Sequence, residues 1–219
     1  MKLPLSTRLL ACAAYVPKGS RVADIGCDHG YLGIHLLTNG IASSMIEADI
    51  NEAPLQSALH NAHKYGVADR MTFYLSDGVR KIPRDFDVLV CAGMGGDTMI
   101  HILDSAPWLK DDRYQLILQC QSKTPMLRQY LSDSGWHITK ETVLRDGKFL
   151  YTVMLVCYDP AQPPLTAGQC YISPALLQDS GEVLREYHQR ITEGLRLAVT
   201  HQNDPDKKAV LEELEQLKL

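Results

Sequence analysis

The residues that could do chemistry in this chain gather first around three glycines. Gly26, Gly30 and Gly33 follow a short apolar run at 21–25 and lead into a helix-like stretch at 31–37. Strand, tight turn and helix in that order let backbone N–H groups approach a ligand, with a helix N-terminus behind them. In an open parallel sheet the first such crossover is where a nucleotide-like cofactor binds. The spacing is G-x-x-x-G-x-x-G, which is neither the dinucleotide fingerprint G-x-G-x-x-G nor a phosphate-cradling P-loop. Asp24 stands two residues before the first glycine. A carboxylate there repels pyrophosphate and suits a cation. S-adenosylmethionine (SAM), with a sulfonium, an ammonium and no phosphate, fits those charges.

Within the loop, Asp24, Gly26, Cys27, His29 and Gly30 are the candidate cofactor contacts. Asp28 is the candidate for acid–base work or for holding negative charge beside a developing cation. His29 could orient it or cap the helix, and a purely structural role for both is the competing reading. Asp49 ends the second strand, about twenty residues further on, where an acid accepts hydrogen bonds from ribose hydroxyls. Glu47 points to the same face and competes with it; Asp49 is favoured because ligands sit at strand ends, and Ile50 follows it. Asp77 and Gly78 follow the third strand and could contact an adenine, the alternative being a plain Asp-Gly turn.

The elements that position these residues alternate. Strands at 21–25, 44–49, 71–75, 86–91 and 114–119 are separated by helices at 31–38, 52–65, up to about 105, and 125–134. A further helix over 3–15 precedes them, with Ser6 as a plausible cap. The repeated β–α order argues for a parallel sheet with helices on both faces. Two strand-like runs then follow, 136–144 and 148–157, joined by Arg145-Asp146-Gly147, a hairpin signal. Five parallel strands closed by an antiparallel hairpin form the α/β class I SAM-dependent methyltransferase layout, a Rossmann-like variant. Residues 1–159 are expected to form that domain. Beyond the linker Pro160 to Pro164, residues 160–219 read as a small coiled-coil-like helical hairpin. Ser173-Pro174 looks like a cap and first residue, a helix runs from 175, Asn203-Asp204-Pro205 breaks it, and 207–219 is the second helix. Packing on the main domain and binding a partner are equally open for this hairpin.

In this layout the turn after strand four positions the methyl acceptor. Here it reads Ala92-Gly93-Met94-Gly95-Gly96, and Ala92, Gly93 and Met94 join the cofactor candidates. Enzymes acting on exocyclic amines carry Asn or Asp followed by Pro-Pro and an aromatic residue there. The glycines instead leave room for a flat base, which favours another acceptor atom. His60 and His63 form an isolated pair, so no metal is expected. The six cysteines are scattered without C-x-x-C, which reads as reduced buried thiols in a cytoplasmic protein, and Cys91 reads as a buried strand residue. No apolar run reaches the ~18 residues that span a membrane, and the N-terminus lacks a signal-like apolar stretch. A net charge of −4 gives no global pull toward nucleic acid, although a local basic patch is compatible with it.

Ile25-Gly26-Cys27-Asp28-His29-Gly30-Tyr31-Leu32, Asp49 with Pro54 to Ala58, Cys91 to Gly96, Leu116 to Gln119, and Glu141 with Asp146-Gly147-Lys148 together resemble the TrmK family. These are bacterial tRNA (adenine(22)-N1)-methyltransferases. The resemblance covers nearly the whole chain. Gln119-Cys120-Gln121-Ser122 departs from it, since many members carry proline after the glutamine. The family implies a SAM-binding domain, a helical C-terminal domain and a tRNA D-loop substrate. Adenine N1 has a free lone pair, so its methylation needs alignment and a negative group near the cationic product, a role that falls to Asp28. Lys2, Arg8, Lys18 and Arg21 are candidate phosphate contacts. Two alternatives stand beside this reading: a SAM-dependent methyltransferase for a small molecule or protein, and a non-catalytic SAM- or tRNA-binding module. Monomer and weak homodimer are both open.

Overall fold

The computed structural model describes residues 3–179, 181–202, 204–217 and 219. Lys2 and Asn203 therefore lie outside the described residues. Helix α1 (Thr7–Ala13) is shorter than the apolar run suggests, because Ser6 caps it: its Oγ accepts from Leu9 N. Strand β1 (Ser20–Ile25), helix α2 (Tyr31–Thr38), strand β2 (Ala42–Asp49), helix α3 (Glu52–Lys64) and strand β3 (Met71–Leu75) follow the expected order. Then come β4 (Val88–Gly95), α4 (Gly96–Asp104), β5 (Gln115–Ser122) and α5 (Thr124–Asp133), and the sheet closes with β6 (Trp136–Asp146) and β7 (Phe149–Tyr158).

Among the described residues the sheet has seven strands in the order β3-β2-β1-β4-β5-β7-β6. The first five pair in parallel, and β7 runs antiparallel to both β5 and β6. This is the class I methyltransferase sheet. Because β1 and β4 lie at its centre, their carboxyl ends open where the strand order reverses, and ligands bind at such a point. Apolar side chains fill both faces. Leu89, Met99, Leu116 and Leu127 belong to one buried cluster, and Val22, Ile34, Val90 and Val153 to the other.

Toward the carboxyl end of the sheet three features differ from expectation. Strand β4 does not stop at Cys91 but continues through Gly95, with register shifts on either side of Met94. Gly93, at φ +81°, is the extra residue of a bulge. With Cys120 rather than proline, β5 keeps its ladder N–H and likewise continues to Ser122. In the β6–β7 hairpin Asp146 pairs with Phe149, so Gly147-Lys148 forms the tip rather than Asp146-Gly147. A left-handed φ at Gly147 alone fits the type II′ turn, which wants glycine at its first central position.

The long helix α6 (Glu182–Gln202) starts seven residues later than the apolar spacing suggests. Ser173 caps a short 3₁₀ turn at Leu176–Gln178 instead. Helix α7 (Pro205–Glu215) begins behind Asp204, whose side chain accepts from the N–H groups of Asp206 and Lys207. The α6–α7 hairpin buries Leu184, Leu195, Val210 and Leu214 against Val143 of β6 and Ile172. A buried ion pair fastens this region to the sheet. Arg128 of α5 donates from Nη2 to Glu141 Oε1 of β6 at 2.7 Å and from Nη1 to the carbonyls of Cys170 and Tyr171, both at 2.8 Å. Ser173 Oγ donates to the second oxygen of Glu141. Among the described residues no helix is long and apolar enough to cross a membrane.

Candidate active site

Asp24 lies one residue from the end of β1 and is 4% exposed. Among the described residues none donates a hydrogen bond to its carboxyl. Burial raises its pKa to about 7, and the neighbouring charge of Asp49 adds to the rise. Glu47 pairs with Asp24 in register and is fully buried. Desolvation first, then Asp24, holds it well above the carboxylate range. It does not reach the cleft. A side chain added at Gly33 would collide with Glu47 Oε1. Gly33, the third glycine of the motif, thus leaves room for the Glu47 carboxyl under α2 rather than approaching a ligand. The Cys27 thiol is raised by burial and by Glu47 and packs with Leu55 and Ala58. Only the backbone of Cys27 is left for a ligand.

The turn between β1 and α2 is held by backbone bonds. Gly26 N and Cys27 N donate to Ala48 O at 2.7 and 3.0 Å, and Gly30 N donates to Cys27 O at 2.8 Å. Gly26 and Gly30 have φ of +74° and +68°, and Asp28 has +52°. Asp tolerates that left-handed conformation better than most side chains. A side chain at Gly26 would strike the Met94 methyl, and one at Gly30 would come within 2.9 Å of Ala58 Cβ. The glycine loop and the β4 bulge are therefore in contact across the cleft. Asp49 braces the loop from below: its Oδ2 accepts from Asp28 N at 3.3 Å and its Oδ1 from Asn51 N at 2.8 Å. A carboxylate has roughly four acceptor positions, so two remain for a ligand.

Asp28 projects outward, its side chain 72% exposed, with His29 Nε2 3.6 Å away. Arg8, from the first turn of α1, lies in the same cleft, which it lines with Asp24, Gly26, Cys27, Asp28, His29 and Ala92. Its Nη1 donates to Gln119 Oε1 at 3.1 Å, and Gly93 N donates to that same oxygen at 3.0 Å. Gln119 is fully buried and couples α1, β4 and β5; no spacing in the sequence marks it. Gly30, Asp49, Gly93 and Met94 adjoin the cleft through these contacts. Ile50, 63% exposed, stands at the end of β2. Asp77 follows β3, where Ser76 N donates to Asp49 O at 2.9 Å, but its carboxylate is paired with Arg80 at 3.0 Å. Gly78 packs on Ile102.

Of the basic candidates, Arg8 is the one in the cleft. Lys18 precedes β1, and Arg21 is paired with Asp85 and Asp87 at the same amino end of the sheet. That end is opposite the site, so neither adjoins the cleft. A larger cavity, lined by Trp136, Ile138, Pro163 and Ala175 among others, lies against β6 and contains none of the site candidates. Among the described residues no cluster of three metal-ligating side chains occurs.

The sheet order and the acid-and-glycine cleft define a class I methyltransferase, and the "Methyltransferase domain" family model matches residues 5–154. A curated tRNA (adenine(22)-N(1))-methyltransferase of Bacillus subtilis is 29% identical over 99% of this chain and 97% of its own length. A Mycoplasma pneumoniae relative is 34% identical over 81% of both chains. The solved B. subtilis m1A22 tRNA methyltransferase TrmK superposes with a TM-score of 0.80 at 27% identity, over 98% of this chain and 95% of that one. A Streptococcus pneumoniae structure in complex with S-adenosyl-L-methionine gives 0.86 at 29%, over 96% and 99%. Within the methyltransferase fold, the chain belongs to the TrmK family.

Proposed function

We propose that this chain methylates N1 of adenine 22 in the D-loop of tRNA, with SAM as the methyl donor. The observation that carries the reading is the match to the B. subtilis enzyme over 99% of this chain, C-terminal hairpin included. The cleft fits SAM on its own chemistry. Asp24 is a buried carboxyl that lacks a protein cation, and Gly26 and Gly30 leave backbone faces that any side chain would fill. In this reading Asp24 takes the ammonium, and the backbone at Gly26, Cys27, His29 and Gly30 packs against the amino-acid end. Asp49 takes the ribose, and Ile50 packs on the adenine beside Asp77 and Gly78. Ala92, Gly93 and Met94 flank the methyl. When bound, SAM supplies a methyl group that the lone pair of adenine N1 takes up, which leaves the base cationic.

The chain's own residues then have two tasks. Asp49 and Gln119 fix the two loops that face each other across the cleft, and this alignment supplies most of the acceleration. Asp28, exposed at the mouth, places negative charge where the base becomes positive. We assign residues 1–159 to the methyltransferase domain and 160–219 to the helical domain, and we place the protein in the cytoplasm, without a metal. The test is methyl transfer from labelled SAM to tRNA lacking the modification, with nucleoside analysis. The expected product is 1-methyladenosine at position 22. Asp28→Ala should slow transfer by about tenfold or more, below the 10²–10³ typical of buried electrostatic groups because Asp28 is solvated, while SAM binding is retained. Absence of transfer with SAM binding intact would turn the reading to a small-molecule or protein acceptor.

A further inference from the structure

The end of the sheet that holds the cleft also carries the β6–β7 hairpin tip. Strand β7 runs antiparallel to β5 with Cys120 opposite Thr152, so the tip extends beyond the carboxyl end of β5. Asp146 and Phe149 face each other there, and paired residues put their side chains on one face of the sheet. Asp146 Oδ2 lies 3.8 Å from Nε of Arg8, the residue that lines the cleft. One ion pair thus separates the Phe149 position from the site.

Phe149 is 53% exposed. It is one of three phenylalanines in the sequence; Phe86 is in the core and Phe73 is half-buried. The Phe149 ring lies 6.1 Å from that of Tyr151, and Lys148 Nζ is 5.3 Å from its centre. Lys148 makes no ion pair with a described residue, whereas Arg145 is paired with Glu186 and Lys123 with Asp97. Among the described residues the other exposed large apolar side chains toward this end are Leu10 in α1, Ile50 after β2, Leu75 at the end of β3 and Met126 in the first turn of α5. Phe149 alone among these five has a flat π-face, and the ammonium over it has no ion-pair partner among the described residues.

We propose that Phe149, with Lys148, is a stacking platform for an unpaired nucleotide of the RNA substrate, next to the base that enters the cleft. Any base offers a π-face to an aromatic ring, and the adjoining phosphate answers the ammonium. A ring face and an ammonium side by side match the alternation of base and phosphate along a single strand, which favours RNA over a protein surface. The inference rests on the tRNA reading above.

The test measures binding of unmodified tRNA and, separately, of S-adenosylhomocysteine to the full chain and its variants. Phe149→Ala should weaken tRNA binding by about 5- to 100-fold and leave the nucleoside affinity unchanged. Phe149→Tyr should stay within about twofold of the parent because stacking persists, whereas Phe149→Leu should fall with the alanine variant. Lys148→Ala should lower the slope of log K against log salt by about 0.7–0.9, the share of one phosphate. Equal tRNA affinity for Phe149→Ala and the parent would overturn the platform and leave the tRNA reading standing. A leucine variant that binds like the tyrosine one would replace stacking by plain apolar contact, as for a protein surface, and overturn it too. Lost S-adenosylhomocysteine binding in Phe149→Ala would make the residue structural. Failure of the parent chain to bind tRNA at all would overturn both readings.

Discussion

A buried carboxyl with no protein donor resists ionisation. Asp24 has a folded-state pKa of about 7, raised by desolvation first and then by Asp49, against 3.8 for the free side chain. Between those values the folded state holds a proton that the unfolded state has lost. The free protein therefore loses stability as pH rises through that window. A bound cation reverses the preference, because it favours the carboxylate. Affinity for SAM should accordingly rise between pH 6 and pH 8, and Asp24→Asn should flatten that rise while retaining the ligand's own titration. Calorimetric titration at both values checks it, and parallel pH profiles for the two proteins would remove Asp24 from the cofactor contacts. The sequence made Asp24, Gly26 and Asp49 legible because strand ends and tight turns constrain residue type. It favoured Asp49 over Glu47 by its place at the strand end alone. Alternation along a strand puts both on one face, and only the packing of Gly33 on Glu47 reveals which of them stays below the helix.

Among the elements, the fit between pattern and structure is closest where the period is local. The bounds of α2 and β3 coincide with those read from the sequence, since each is closed by glycine or polar residues. Where a distant partner decides, the pattern fails. The β4 bulge is held by Gln119 from the next strand, and the late start of α6 follows from Ser173, whose hydroxyl is spent on Glu141 and on capping the 3₁₀ turn. That clamp makes its own prediction. Arg128 and Glu141 are fully buried, and although burial disfavours the charged guanidinium, Glu141 outweighs it and keeps Arg128 protonated. Removal of either partner strands a buried charge, at a cost of about 3–5 kcal/mol. Arg128→Met and Glu141→Leu should each destabilise by that order in urea unfolding. The double variant should cost clearly less than their sum, because two apolar side chains leave no stranded charge. Additive losses would mean that the backbone carbonyls and Ser173, rather than the pair, hold the connector.

At the scale of the whole molecule, the narrow apolar seam of the C-terminal helices invited a choice between self-packing and a partner. Its side chains are already covered. Leu184 and Leu214 are 1% exposed, and Leu195 and Val210 are 6%. Further polar contacts lock the two helices together: His188 Nε2 lies 2.9 Å from Leu214 O, and Arg196 donates to Glu215 at 2.7 Å. Glu186 on α6 also reaches Arg145 of β6. Among the described residues of α6 and α7, Leu197 is the one large apolar side chain that is exposed. A specific stable interface buries about 1,200 Å² or more, and a single leucine does not supply its core. The chain should therefore sediment with the mass of one copy at micromolar concentration, and Leu197→Asp should leave that mass unchanged. Leu214→Asp, which puts a charge into the covered seam, should lower the melting temperature instead of altering the assembly. A dimer that Leu197→Asp dissolves would show that the outer face of α6, and not its inner seam, is where copies meet.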